Sequence, residues 1–251
     1  MSKVTVGIPA RMGASRFPGK PLAEILGMPM IQHVYLRSIR AKTVDRVFIA
    51  TCDEVIRATC EAFGAEVVMT DPDIERPGLR VAAACEELRI PDRDIVVVVQ
   101  GDEPLVRPEM IDQAVLALQD SNYQMGTLVG AASPEEWNDP NEVKVVSSIS
   151  NQILYMSRSA IPSNERGNVL IAMKQVAIMP FRMSMLRQFQ SLPMTPLEIV
   201  ESVELVRALE HGIAVLAIPT KFRNVSVDDT HGLREAEIMM SSDKLYLEYR
   251  L

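Results

Sequence analysis

The most constraining feature of this chain is Ile95-Val96-Val97-Val98-Val99, an apolar run with no polar alternation. A strand with one face in water alternates apolar and polar side chains, so a strand of this composition has to be covered on both faces. Such cover comes from helices on either side of a largely parallel sheet. The chain supplies them in alternation: residues 4–9, 45–51, 66–69 and 94–99 read as strands, and 29–40, 54–63, 81–88 and 109–118 as helices. Pro29 opens the first of these helices within its first turn, and Gly64 is placed to end the second. The expected class is α/β, a mixed, mostly parallel sheet flanked by helices.

Beyond residue 120 the rhythm changes. Short strands are expected at 125–131, 142–147 and 152–157, separated by the turn chemistry of Ser133-Pro134, Asn138-Asp139-Pro140 and Ser150-Asn151. They suggest a β-rich insertion at about 125–180 on a single domain of residues 1–251. Helices at 182–190 and 197–211, the second capped by Gly212, a strand at 214–219 and a helix at 232–247 complete the reading.

With 26 basic against 33 acidic residues the net charge is −7, which disfavours a nucleic-acid partner. No apolar run approaches the ~18 residues of a membrane span, and the start of the chain has no signal-peptide pattern, so a cytoplasmic protein with no membrane partner is expected. Cys52, Cys60 and Cys85 lack metal-ligand spacing and read as core thiols. His33, His211 and His231 do not cluster, so no general-base histidine is assigned.

Charge is nevertheless uneven. Arg11, Arg16 and Lys20 fall in a stretch with no acid between Lys3 and Glu24, in a Gly/Pro-rich loop directly after the first strand. Open α/β sheets bind ligands at that position, outside the carboxyl ends of their strands. Gly13 and Gly19 allow backbone N–H groups to approach an anion, and the three cations can balance a triphosphate. A solvated basic loop would look similar. The spacing is neither a Walker loop nor a dinucleotide-binding fingerprint.

Gln100-Gly101-Asp102-Glu103-Pro104 ends the most apolar strand and projects carboxylates at the same sheet edge. One or two carboxylates with an open face are what Mg²⁺ takes from a protein, although a strand-end turn with an Asp cap is the plainer alternative. A second carboxylate is available in Val227-Asp228-Asp229-Thr230, where either Asp could instead cap the final helix.

Ile8-Pro9-Ala10-Arg11 with Ser15-Arg16 and Pro18-Gly19-Lys20-Pro21-Leu22, together with Val99-Gln100-Gly101-Asp102-Glu103-Pro104, resembles the two signatures of the sugar-acid cytidylyltransferases, above all those acting on 3-deoxy-manno-octulosonate (Kdo). The resemblance implies a nucleotidyltransferase fold of the glycosyltransferase-A-like type, Mg²⁺ as cofactor, CTP and a small acidic acceptor as partners, pyrophosphate release and a homodimer. It implies that Ala10, Arg11, Gly13, Ser15, Arg16, Lys20, Arg76, Arg80 and Gln100 bind the nucleotide, with Arg11, Lys20 and Asp102 catalytic. Asp102 and Asp228 would hold the metal, with Asp229 as the alternative to Asp228. Gln100, Arg158, Lys174, Gln175 and Glu201 would face the acceptor.

Some segments depart from the pattern. Glu75-Arg76-Pro77-Gly78-Leu79-Arg80 stands where the family carries Ser-Gly-Thr, Gln175 replaces a histidine and Leu205 a glutamine. An unsatisfied buried polar pairing costs about 1–3 kcal/mol, so Kdo itself is expected to be a poor substrate and another sugar acid or a phosphonate a better one. A nucleotide-sugar-dependent glycosyltransferase and a non-catalytic nucleotide sensor are the alternatives.

Overall fold

The structure, a computed structural model, describes residues 2–13, 17–163, 166, 172–223 and 225–250. From the N-terminus, β1 (Val4–Ala10) leads through a 3-10 turn (Lys20–Leu22) to a small hairpin of β2 (Glu24–Ile25) and β3 (Met28–Pro29). There follow α1 (Met30–Ser38), β4 (Arg46–Thr51), α2 (Glu54–Ala62), β5 (Glu66–Met69), α3 (Pro77–Glu87), β6 (Ile95–Val99) and α4 (Pro108–Gln119). The second half runs β7 (Gly126–Ala131), α5 (Pro134–Asn138), β8 (Lys144–Ser147), β9 (Ile153–Ser157), β10 (Met173–Val176), β11 (Ile178–Arg182) and α6 (Met183–Ser191). It ends with α7 (Pro196–Glu201), α8 (Val206–Glu210), β12 (Leu216–Pro219), α9 (Thr230–Ser241) and α10 (Lys244–Tyr249).

The apolar runs form the centre of a sheet ordered β11-β6-β1-β4-β5, in which β6, β1, β4 and β5 are parallel and β11 is antiparallel to β6. Ile95 to Val99 are all buried, as the absence of alternation requires. On one face α3 approaches β1 closely because Gly7 has no side chain: a Cβ there would strike Val81 and lie 2.9 Å from the Phe48 ring. A second sheet, ordered β12-β7-β10-β8-β9, is antiparallel except for the β12–β7 pair. Consecutive strands β10 and β11 belong to different sheets, and Ala177 is the residue between them.

Several expected boundaries shift for identifiable reasons. The helix expected at 197–211 is two, because Ser202 adopts a left-handed conformation (φ +52°) that ends α7. The final helix is also two, the second restarted by Asp243, whose side chain accepts from the backbone N–H of Leu245 at 3.1 Å. The helix expected at 81–88 starts at Pro77, a residue suited to a first helical position. The expected turn after Ser133 is a short helix with a reciprocal Ser133/Glu136 capping box. Strand β12 joins the second sheet from far outside 125–180, whereas β11 leaves it. Cys60 and Cys85 are buried free thiols whose burial pushes their pKa up to about 12, and Cys52 is half-buried. Among the described residues no helix is long and apolar enough to cross a membrane.

A third apolar cluster, including Ile25, Met30, Val227, Met240, Tyr246 and Tyr249, docks the C-terminal helices on α1 and the small hairpin. Buried polar groups fix its register. His33 Nε2 lies 2.8 Å from the Ile25 carbonyl and Nδ1 2.9 Å from the Tyr249 hydroxyl, while Arg37, also buried, bonds Asp243 at 2.6 Å. Burial, with a smaller contribution from Arg37, lowers the His33 pKa from 6.5 to about 4. The unfolded chain therefore binds a proton on this residue that the native state refuses, and stability should fall as pH drops from about 6.5 to about 4, by about 3 kcal/mol in full. Urea denaturation of the wild type and His33→Gln across this window checks it: the variant should have the shallower pH slope, and parallel slopes would remove His33 as the cause.

Candidate active site

The site lies at the carboxyl edge of the first sheet. After β1, Met12 N–H is held by Asp53 (2.8 Å), and Gly19, at φ +75°, turns the loop so that its own N–H reaches the Met12 carbonyl at 3.2 Å. Lys20 thus enters the 3-10 turn with its side chain directed across the sheet edge. After β6, Gly101 passes directly beneath β1, where a Cβ would lie 2.7 Å from the Pro9 carbonyl oxygen. Asp102 follows at the top of that close approach. Its carbonyl accepts the N–H of Val227 (2.9 Å), and Val227 is buried in the third cluster, so Asp228 is delivered beside it.

Lys20 Nζ lies 2.6 Å from Asp102 Oδ2 and 3.3 Å from Asp228 Oδ1. Burial alone would lower the Lys20 pKa, but the two carboxylates outweigh it and the ammonium is held above its ordinary value. Glu103 is buried and accepts from the Ser226 hydroxyl; burial and then the Asp102 charge push its pKa up to about 8. Asp229 has a different part. Its Oδ1 accepts from the N–H groups of His231 (2.9 Å) and Gly232 (2.8 Å), capping α9.

Lys20, Asp102, Glu103 and Asp228 border a cleft of about 500 Å³. Ala10, Arg11, Lys20, Gln100, Asp102 and Asp228 line it on the sheet edge, Arg76 and Arg80 below, and Arg158 and Gln175 on the side of the second sheet. Gly13, Lys174, Glu201 and Asp229 are not part of the lining, and Ser15 and Arg16 lie outside the described residues.

The expected contact residues are not equally available. Arg80 is buried, its guanidinium bonded to the Thr70 hydroxyl and the Asp71 and Ile74 carbonyls, so it braces the segment leading into α3. Arg76 Nε pairs with Glu198 at 3.2 Å, and Glu198 makes a fully buried two-pronged pair with Arg207, both contacts 2.7 Å. Arg158 directs its guanidinium to the carbonyls of Glu201, Pro140, Asn141 and Ser202. Glu201 accepts from Tyr155, Ser157 and the Arg158 N–H; burial would raise its pKa, but these bonds hold it below the usual value. Lys174 bridges Glu136 and Glu142 at 2.8 Å each. Gln175 donates from Nε2 to the Thr127 hydroxyl (3.3 Å) while lining the cleft.

Sequence reasoning missed Glu204. Half-buried in the cleft wall, it accepts from the N–H groups of Gly78 (3.0 Å) and Leu79 (3.2 Å) and so caps α3 with a side chain from outside the helix. The available signal was a helix opening on Arg76-Pro77-Gly78 with no Ser, Thr, Asp or Asn at its cap, which has to find an acceptor elsewhere.

The arrangement of a basic loop, two converging carboxylates and a sheet-edge cleft can be set beside known proteins. Residues 5–218 match the family model described as cytidylyltransferase. The chain belongs to the cytidylyltransferase family. It is 42% identical over 243 residues to a 3-deoxy-manno-octulosonate cytidylyltransferase of Anaeromyxobacter sp. (strain Fw109-5), covering 96% of this chain and 98% of the relative. It is 38% identical over 243 residues to an 8-amino-3,8-dideoxy-manno-octulosonate cytidylyltransferase of Shewanella baltica (strain OS195), covering 96% and 99%. Among solved structures, a CMP:2-keto-3-deoxy-manno-octonic acid synthetase complexed with CTP superposes with TM-score 0.89 at 34% identity, over 96% of this chain and 99% of the other. The fold is accordingly of the nucleotidyltransferase type, and the chain is a nucleotidyltransferase enzyme.

The two neighbouring aspartates should separate cleanly. Asp229→Ala should cost about 1 kcal/mol of stability, the typical loss of an N-cap, and leave CTP-dependent turnover nearly intact. Asp228→Asn should do the reverse. Denaturation midpoints and turnover, measured on both variants, decide it, and loss of turnover in the Asp229 variant alone would reverse the assignment.

Proposed function

We propose that this cytidylyltransferase transfers CMP from CTP to a Kdo-type sugar acid or a related small acid, releasing pyrophosphate in a Mg²⁺-dependent reaction. The observation that carries the reading is the convergence of Asp102 and Asp228 on Lys20 at the floor of the cleft. The names of the relatives, which act on Kdo and its 8-amino analogue, support the acceptor class.

The donor set fits Mg²⁺. Two hard carboxylates lie side by side on an open cleft, and among the described residues no group of three or more His, Cys, Asp or Glu could hold an ion unaided. Mg²⁺ characteristically takes one or two carboxylates and completes its shell with phosphate and water. Asp102 and Asp228 would hold it, and it would supply Lewis-acid polarisation of the phosphate under attack.

The chain's own residues do the rest. Lys20 keeps the two carboxylates together and adds a positive charge where the triphosphate arrives. Arg11, exposed at the end of β1, is placed to meet phosphate oxygens, and Arg16 follows in the same loop. The Pro9–Ala10 backbone and Gln100 border the adjoining part of the cleft, where the nucleoside is placed. The acceptor lies toward Gln175 and the second sheet, so that its hydroxyl can meet the α-phosphate in line with the departing pyrophosphate. Gln175 and Leu205 both belong to the lining, so the expectation that Kdo itself is turned over poorly is retained. A cytoplasmic homodimer completes the proposal, with exposed Leu154 on β9 and Ile199 and Val200 on α7 as its contact candidates.

Pyrophosphate release from CTP with a panel of acids, with and without Mg²⁺, tests the assignment. Product should require the metal and an acidic acceptor, and Asp102→Asn should fold normally yet lose about 10²-fold or more in turnover. Unchanged turnover in that variant, or activity confined to neutral sugars, would overturn it.

A further inference from the structure

The turn Asp139–Glu142 forms the edge of the cleft on the side of the second sheet, where Asn141, Glu142 and Val143 line it. Its backbone is held in an unusual way. Four consecutive carbonyls each receive a side-chain cation: Lys144 Nζ donates to Asp139 O (2.6 Å) and Glu142 O (2.7 Å), and Arg158 Nη1 donates to Pro140 O (3.2 Å) and Asn141 O (2.9 Å). Lys144 is fully buried, and within the sheet it is paired with Ser157, the residue before Arg158. The sheet register therefore delivers both cations under one turn. Arg158 is fixed in its own right by Glu201, whose carboxylate accepts its N–H (2.9 Å) and whose carbonyl accepts Nε (3.0 Å). Lys174 adds a third restraint by pairing with the Glu142 side chain at 2.8 Å.

We infer that Lys144 and Arg158 are positioning residues for the acceptor, acting by holding the 139–142 turn at the height where it borders the cleft. A buried ammonium is costly to keep unless its donors are used, and here its two described bonds both go to this turn. Lys144 itself is not part of the cleft lining, so any influence it has on the acceptor has to pass through the turn. Among the described residues, the nucleotide side of the cleft, built on β1, the Lys20 loop and α3, shares none of these bonds. The inference rests on the acceptor lying on the second-sheet side, as proposed above.

The test is Lys144→Met, which keeps length and burial while removing the ammonium, with Arg158→Lys as a second variant at a half-buried position. In both, the KM for the acid should rise about tenfold, within the ~10²-fold that a misplacement of ~1 Å can cause, while kcat changes less and CTP affinity by calorimetry stays the same. Hydrogen exchange of the amides at 139–143 should accelerate in the full-length protein. A folded Lys144→Met with unchanged acceptor KM, or with acceptor KM and CTP affinity weakened together, overturns the inference. If Lys144→Met does not fold, Arg158→Lys decides by those two readouts together with hydrogen exchange at 139–143: a raised acceptor KM without faster exchange would mean a direct contact and overturn the inference. Wild-type protein that binds CTP but makes no product with any acid overturns the proposed function instead, and the hydrogen-exchange comparison still reports whether the cations hold the turn.

Discussion

The site depends on one ammonium group. Lys20 lies within bonding distance of carboxylates that are 82 and 208 residues away in sequence, and without it Asp102 and Asp228 would repel one another at the floor of a cleft. Each of the three arrives by a separate structural device. A positive-φ glycine turns the Lys20 loop, a glycine pressed against the Pro9 carbonyl lets Asp102 rise beside β1, and a backbone bond from Val227 to Asp102 brings in Asp228. The last device explains why the C-terminal helices have a core of their own. Burying Val227 with Tyr246, Tyr249 and Met240 is what keeps a distant carboxylate within reach of the sheet edge.

What was legible in the sequence follows from how local the determining physics is. The central strands were readable because burial on both faces writes itself into consecutive residues, as in Ile95 to Val99. The Lys20 loop and Asp102 were readable because glycine, charge and strand ends lie within a few positions of each other. The division of the helix at Ser202 was not, because it depends on what residues 201 and 204 bond to: Glu201 is drawn to β9 and Glu204 to the start of α3. The assignment of strands to sheets was hidden for the same reason. Nothing within Met173 to Arg182 announces that β10 and β11 separate at Ala177, since that is decided by partners at 126–131 and 95–99.

The choice between Asp228 and Asp229 shows the boundary between these regimes. Both are compatible with capping a helix by sequence preference, and only the chain direction at the start of α9 distinguishes them. Asp229 turns back to the His231 and Gly232 amides, which leaves its neighbour directed to Lys20. A similar sorting applies to the basic residues read as contacts. Arg80, Arg158 and Lys174 each sit near the cleft, yet their donors are committed to carbonyls, a hydroxyl or carboxylates of the protein itself.

That commitment has an electrostatic consequence in a chain of net charge −7. An acidic protein that binds CTP has to present positive potential locally without leaving long cationic side chains to find their positions during the reaction. Here most of the cleft cations are already fixed, Lys20 by two aspartates, Arg76 by Glu198 and Arg158 by four carbonyls, so their fields are oriented before any ligand arrives. Arg11 contrasts with them, being exposed at the end of the central strand. The cleft thus combines cations held in place by partners of the protein itself with one arginine, Arg11, left exposed at the end of β1.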